Sequence, residues 1–236
     1  MRERRSSQRR QEALSRESII QAAIELLDRG GEDRLTFRAL AERLATGSGA
    51  LYWHIANKTD LLTAACDALV AQTTNGIVIT TPGETIRTVA LGLFDLIDAH
   101  PWIGSALTRS PGALPVVRIV ERIGQQIRAL AVPKERQWDA IGTLMAFILG
   151  VSGLNAANRQ LARAQNLDRA HFLGVVATAW SQLDPEEYPV ARSAAGRIRD
   201  HDDRADFLAG IDLILAGIES LKHSSRARTK HSLLLG

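Results

Sequence analysis

The chain has 236 residues, 45% of them hydrophobic and 23% charged, enough apolar material for one large packed domain or two small ones. A formal net charge of +3 is too small for a general polyanion binder, and the lone cysteine excludes an intrachain disulfide. Ala, Leu, Ile and Arg dominate while aromatics make up 5%, a balance that favours helices over strands.

Residues 1–14 are expected to form a disordered basic arm. The first sixteen residues hold Arg2, Arg4, Arg5, Arg9, Arg10 and Arg16 against only Glu3 and Glu12, and residues 1–14 show no sustained apolar period. Ser15 is placed to cap a helix whose stripe is Ile19, Ile20, Ala23, Ile24 and Leu27, and Gly30-Gly31 should stop it. Thr36 is the next candidate cap, with Phe37, Leu40, Ala41 and Leu44 facing inward. A second short helix follows, ending in Tyr52-Trp53-His54, with Leu51, Tyr52 and Ile55 on its inner face. Asn57 and Asp60 then open a further helix in the manner of a capping box, with Leu61, Leu62, Ala65 and Leu69 inward. Cys66 falls among these apolar residues and reads as a buried, inert thiol.

At 74–83 the composition shifts to β-branched residues, Gly and Pro, which suggests a joint rather than a strand. Helical segments are expected at about 84–100, 114–130, 135–163, 168–183, 186–199 and 203–222, with the seven prolines at or near their ends. After Lys222 the helical period is lost, so 223–236 reads as a flexible tail. No apolar run is expected to reach the length of a membrane span, and the arginine-rich start lacks the apolar segment of a secretion signal. A soluble, cytoplasmic protein without membrane association is expected.

The spacing of residues 36–55 is that of a helix-turn-helix, in which the second helix enters the major groove and its neighbours hold the backbone. From about residue 13 to 73 the chain resembles the DNA-binding domain of the tetracycline-repressor (TetR) family. The residues that carry the likeness are Ala22-Ala23, Leu26-Leu27, Gly30, Leu35-Thr36, Leu40-Ala41, Leu44, the run Leu51-Tyr52-Trp53-His54-Ile55, Asn57-Lys58 and Leu61-Leu62. His100-Pro101-Trp102 and the helix from Arg204 to Leu221 add weaker likeness. The resemblance implies an all-α protein: an N-terminal three-helix DNA-binding domain at 15–73, then a larger effector-binding and dimerisation bundle at 84–222. It implies a homodimer on a double-stranded operator with an inverted repeat, released by a small molecule. Ala45 and Thr46 depart from the family's usual Gly and apolar residue in the turn. Either the turn residue there needs no positive φ, or some strain is tolerated.

Within that unit Arg38 is the long donor expected to reach a base, where a bidentate Arg–guanine pair discriminates by about 1–3 kcal/mol. Ser48 is suited to a base hydrogen bond and the Ala50 methyl to a thymine methyl, beside the small Gly49. Tyr52, Trp53 and His54 present polar edges to the backbone, as do Thr36 and Lys58, the latter in a first helical turn that already favours phosphate.

In the larger domain, two segments suit close approach of a second subunit. One is Trp138 to Asn155, with small residues at Gly142, Ala146, Gly150 and Gly153, and the other is Phe207 to Leu221, with Gly210, Ile211, Ile214, Gly217 and Ile218. Glycine in a helix costs roughly 1 kcal/mol relative to alanine, so its repeated use suggests close backbone approach. Phe94, His100, Trp102, Arg109, Trp138, Phe147 and Asn158 are candidates to line an effector pocket for a mostly apolar inducer. The histidines show no metal-ligand spacing, and neither Gly47-Ser48-Gly49 nor Gly150-Val151-Ser152-Gly153 forms a dinucleotide loop or nucleophile elbow. No catalytic, metal or cofactor site is expected. An architectural DNA binder without an effector, and an activator, stay open as alternatives.

Overall fold

The computed structural model describes residues 14–77, 81–199 and 201–233, with 222–233 as backbone. Most of the basic arm, residues 1–13, lies outside the described residues. Leu14 packs against the core and so belongs to the head. Among the described residues every regular element is a helix.

Helix α1 (Arg16–Arg34) opens on a full capping box in which Ser15 and Ser18 each satisfy the other's backbone N–H. The chain leaves helical geometry at Gly30 and Gly31, the latter at φ 64°, and then makes one more turn to Arg34. The glycines thus break the helix where expected without ending it. Thr36 caps α2 (Phe37–Arg43) by accepting the Ala39 N–H at 3.1 Å. Helix α3 (Ser48–Leu51) is a single regular turn, and Tyr52-Trp53-His54 continue it as turns closed by the Ile55 N–H on the Leu51 carbonyl. Asn57 caps α4 (Lys58–Asn75) through the Asp60 N–H at 2.9 Å. Ile19, Leu27, Leu35, Leu40, Leu51 and Ile55 are sealed in the core of this head. Tyr52, expected inward, is 58% exposed.

The expected joint begins later than its composition suggested: Thr74 and Asn75 still belong to α4, with Thr74 buried and its hydroxyl on the Val70 carbonyl. Residues 78–80 lie outside the described residues. Helix α5 (Pro82–Ala99) starts at a Thr81–Glu84 capping box with proline at its first position. Helix α6 (Trp102–Arg109) did not register in the sequence, because eight residues between Pro101 and Pro111 hold too little of a period. The body continues with α7 (Leu114–Ala129), α8 (Lys134–Ala164), α9 (Arg169–Ser181), α10 (Pro189–Arg199) and α11 (Asp203–Leu233). The backbone of α11 runs on to Leu233, past Lys222, where a non-helical tail was expected; residues 234–236 lie outside the described residues.

Helix α8 is long and apolar enough, by length and composition alone, to cross a membrane, which the sequence reading did not anticipate. In this fold it is the central rod of the body. Ala140, Leu144, Ile148 and Ala156 bury one face of it, and α5, α6, α7 and α11 pack around it. Helix α4 is the hinge of the architecture, because it packs on α1 in the head and on α5, α6 and α7 in the body. The α9–α10 pair packs mainly within itself and touches the rest chiefly through α8.

Candidate nucleic-acid interface and ligand cavity

The turn between α2 and α3 is a Schellman motif. The Thr46 N–H bonds the Ala41 carbonyl at 3.0 Å and the Ala45 N–H bonds Glu42 at 3.2 Å. Ala45 takes the left-handed position with φ 49°, so of the two sequence alternatives the strained one holds. Three contacts then set the angle of α3. Phe37 stacks on Tyr52 with centroids 4.5 Å apart and planes 4° from parallel. Arg16 donates to the His54 carbonyl at 3.0 Å, and Arg43 pairs with Glu25 at 2.6 Å to fix α2 on α1. Arg16 is a positioning residue that sequence reasoning missed, since nothing local links it to a residue thirty-eight places on.

Thr36, Arg38, Ser48, Gly49, Tyr52, Trp53 and Lys58 are all exposed, and Ala50 and His54 are half-buried. Trp53 is 89% exposed, far beyond what a core indole shows. Among the described residues Arg38 holds only the i,i+4 partner Glu42, itself exposed, at 3.2 Å. A pair of that kind is worth about 0.3–0.5 kcal/mol and yields readily to a stronger acceptor. Lys58 donates to the Glu32 carbonyl at 2.6 Å, which holds its ammonium beside the end of α1. The head therefore offers an exposed aromatic and cationic set on a rigid helix pair, the chemistry of a duplex-binding surface.

In the body a cavity of about 570 Å³ opens between α5, α8, α9, α10 and α11. It gathers Phe94, Phe147 and Asn158 from the residues expected there, and adds Asn155, Phe172 and Phe207, which were not. At its polar end Arg169 is ion-paired with Asp203, and His201 lies between Asp203 and Asp206 at 3.0 and 2.5 Å. The Arg169–Asp203 pair also ties α9 to the start of α11.

The other four pocket candidates lie elsewhere. Trp102 donates its indole N–H to Asp28 at 2.8 Å, and His100 Nδ1 lies 2.7 Å from the same oxygen. Arg109 pairs with Glu32. These three join the body to the end of α1, because Pro101 turns the chain out of α5 and towards the head. Trp138 is 69% exposed near the start of α8.

The small-residue positions also divide. Gly142, Ala146, Gly150 and Gly217 are exposed, and a Cβ at any of the three glycines would meet nothing. Gly210 instead receives the Phe147 ring of its own chain, which leaves no room for a Cβ. Ile211 and Ile218 are buried in the subunit's own core and Ile214 is half-buried, because they occupy the inward stripe of α11.

Cys66 is 1% exposed, and burial, with a smaller contribution from Asp67, pushes its thiol up to about 12. Among the described residues no group of three or more His, Cys, Asp or Glu side chains is placed to hold a metal ion.

A helix-turn-helix head joined to a helical body with a ligand-sized cavity defines a DNA-binding regulator. The profile of bacterial regulatory proteins of the tetR family (TetR_N) matches residues 19–65. The solved structure of SCO7222, a TetR transcriptional regulator from Streptomyces coelicolor, is 49% identical to this chain, spans 88% of it and 99% of its own chain, and superposes with a TM-score of 0.81. Tetracycline repressor protein class D of Escherichia coli is 26% identical over 215 residues, covering 87% of this chain and 89% of that repressor. BioQ, solved with its double-stranded DNA operator, is 30% identical over 63% of this chain and 89% of its own, with a TM-score of 0.55. The chain belongs to the TetR family, and it is a DNA-binding transcriptional regulator.

Proposed function

We propose that this regulator is a homodimeric repressor whose two heads read an inverted repeat and leave it when a small molecule fills the body cavity. One observation carries the reading: a single helix serves both sites. Phe94 of α5 borders the cavity, and His100, the residue that caps the same helix, touches Asp28 of the head. Six residues of helix separate them by about 9 Å, so a ligand that shifts α5 moves the head's support with it.

One head spans too little duplex for useful discrimination, which favours two copies on two half-sites. The exposed faces of α8 and α11, with Trp138, Gly142, Ala146, Gly150 and Gly217, suit the contact between copies. Ile211 and Ile218 serve each subunit's own core. Arg38 and Ser48 are assigned to bases, with the Ala50 methyl beside them and Gly49 allowing close approach. Thr36, Tyr52, Trp53, His54 and Lys58 are assigned to the backbone. No catalytic step is assigned, and the protein acts in the cytoplasm beside the chromosome.

Selection of genomic fragments by the purified protein at physiological salt tests this. A few sharp sites with an inverted repeat, each bound by two copies in sedimentation, are expected. Diffuse, salt-sensitive binding would put an architectural role first. Sharp sites upstream of a promoter, where binding raises transcription, would make the protein an activator.

A further inference from the structure

The chemical class of ligand can be drawn from the cavity itself, an inference that rests on the effector reading above. The chain holds five phenylalanines, and Phe94, Phe147, Phe172 and Phe207 all border this one cavity. Three of them form a continuous aromatic wall: Phe94 and Phe207 lie 4.7 Å apart at 31°, and Phe147 and Phe207 lie 5.6 Å apart at 23°. The wall is held rigid by the Phe147 ring against Gly210. Phe207 packs on both of the other rings and is 1% exposed, so the ring surface left for offset stacking with a flat aromatic guest is that of the half-buried Phe147 and Phe172.

The polar groups narrow the choice. Asn155 is 6% exposed and borders the cavity; its Nδ2 donates to Asp98 at 3.2 Å, while its Oδ1 accepts from no described residue. Asp98 is held in turn by Arg159 at 2.7 Å. A buried carbonyl oxygen left unpaired is costly, and a donor on the ligand relieves that cost. Asn158 stands three residues on, on the same helix and the same cavity wall. Among the described residues Arg169 is the one arginine or lysine bordering the cavity, and it is already paired with Asp203, while His201 contacts Asp203 and Asp206. A ligand carrying a negative charge would meet no free arginine or lysine there.

We propose that the cavity takes a planar, multi-ring aromatic compound that carries no negative charge and bears a hydroxyl that donates to Asn155 Oδ1. Titration calorimetry on the full chain with 2-hydroxyfluorene, 2-methoxyfluorene and fluorene-2-carboxylate tests it. The hydroxyl compound binds about tenfold more tightly than its methyl ether, the gain of one buried hydrogen bond, and the carboxylate binds most weakly. Asn155→Leu brings the hydroxyl and methoxy compounds to equal affinity. Val176→Trp, which fills the cavity from α9 without touching Asn155's partners, abolishes binding of both, so the assignment stays decidable if Asn155→Leu fails to fold. Equal affinities in the unaltered protein, a preference for the carboxylate, no binding by any probe, or binding undiminished in Val176→Trp would each overturn it. Operator release is read separately. The expected order of affinities without release from DNA would sink the effector reading and leave the ligand class standing. Release by the carboxylate with no preference for the hydroxyl would do the reverse.

Discussion

Trp102 gives its indole N–H to Asp28, and that bond at 2.8 Å fastens α6, the second helix of the body's α5–α6 corner, to the head. His100 meets the same carboxylate oxygen, so one head residue anchors both sides of the Pro101 turn. Trp102 is buried, and removing its partner leaves an unsatisfied donor. Asp28→Ala is expected to lower stability by about 1–3 kcal/mol in urea denaturation. Trp102→Phe, which removes the N–H and leaves Asp28 with His100, should cost less. Equal stability of Asp28→Ala and the parent protein would show that the head is not held this way.

The turn of the helix-turn-helix carries strain at Ala45, whose φ of 49° suits glycine. Left-handed geometry costs an L-residue roughly 1–2 kcal/mol, and the added freedom of an unfolded glycine returns part of that. Ala45→Gly should therefore raise stability by a net of about 0.5–1 kcal/mol, seen as a slightly higher melting temperature, with DNA affinity unchanged. A lower melting temperature would mean that the Ala45 methyl makes a contact worth more than the strain.

Arg38 and Lys58 are expected to fail differently. Arg38→Ala should relax preference at one base pair of each half-site by about 1–3 kcal/mol. Lys58→Ala should weaken binding to all sequences alike and reduce the salt slope by about one. The loss at Lys58 is tempered by its bond to the Glu32 carbonyl, which DNA must compete with or share. Titrations on operator and scrambled duplexes at several salt concentrations separate the two; identical losses on every duplex would contradict the assignment.

Gly210 and Gly196 make a matched pair. Alanine at 196, on the exposed side of α10 and outside the face assigned to the second copy, meets nothing within 4 Å and should gain about 1 kcal/mol of helix propensity. Alanine at 210 drives into the Phe147 ring, and overpacking of that kind costs about 1–3 kcal/mol despite the same gain in propensity. Combining Gly210→Ala with Phe147→Leu should recover part of the loss. Thermal denaturation of the four proteins checks the opposite signs.

Burial raises the Cys66 thiol to about 12, which sets the sign of a pH effect. The folded state favours the neutral thiol, so the contribution is whole below the unfolded thiol's ordinary value near 9. It declines as pH rises from there through 12. Native protein at pH 8 should resist iodoacetamide, and the rate should rise on unfolding in urea. Fast labelling of the folded chain would show that the thiol is reached without unfolding.

The head was legible because its information is local. Caps at Ser15, Thr36 and Asn57 fall where their hydroxyl or amide oxygens were expected, and Ile19, Ala23 and Leu27 repeat every four residues along the buried face of α1. The body was legible only as a series of helices. The cavity candidates were chosen for residue type, and type cannot tell Phe94, which faces the cavity, from Trp102, which faces Asp28. Gly210 and Gly142 look alike in the sequence, yet one meets a ring of its own chain and the other meets nothing.

The sequence by itself determined the all-helical class, the helix-turn-helix and the caps of its helices, because capping and periodicity act over three or four residues. Tertiary structure alone decided which phenylalanines share a wall, that Asn155 keeps an unpaired oxygen, and that His100, Trp102 and Arg109 support the head rather than the cavity. Those relations join residues more than fifty positions apart, and no local propensity encodes the packing angle that brings them together.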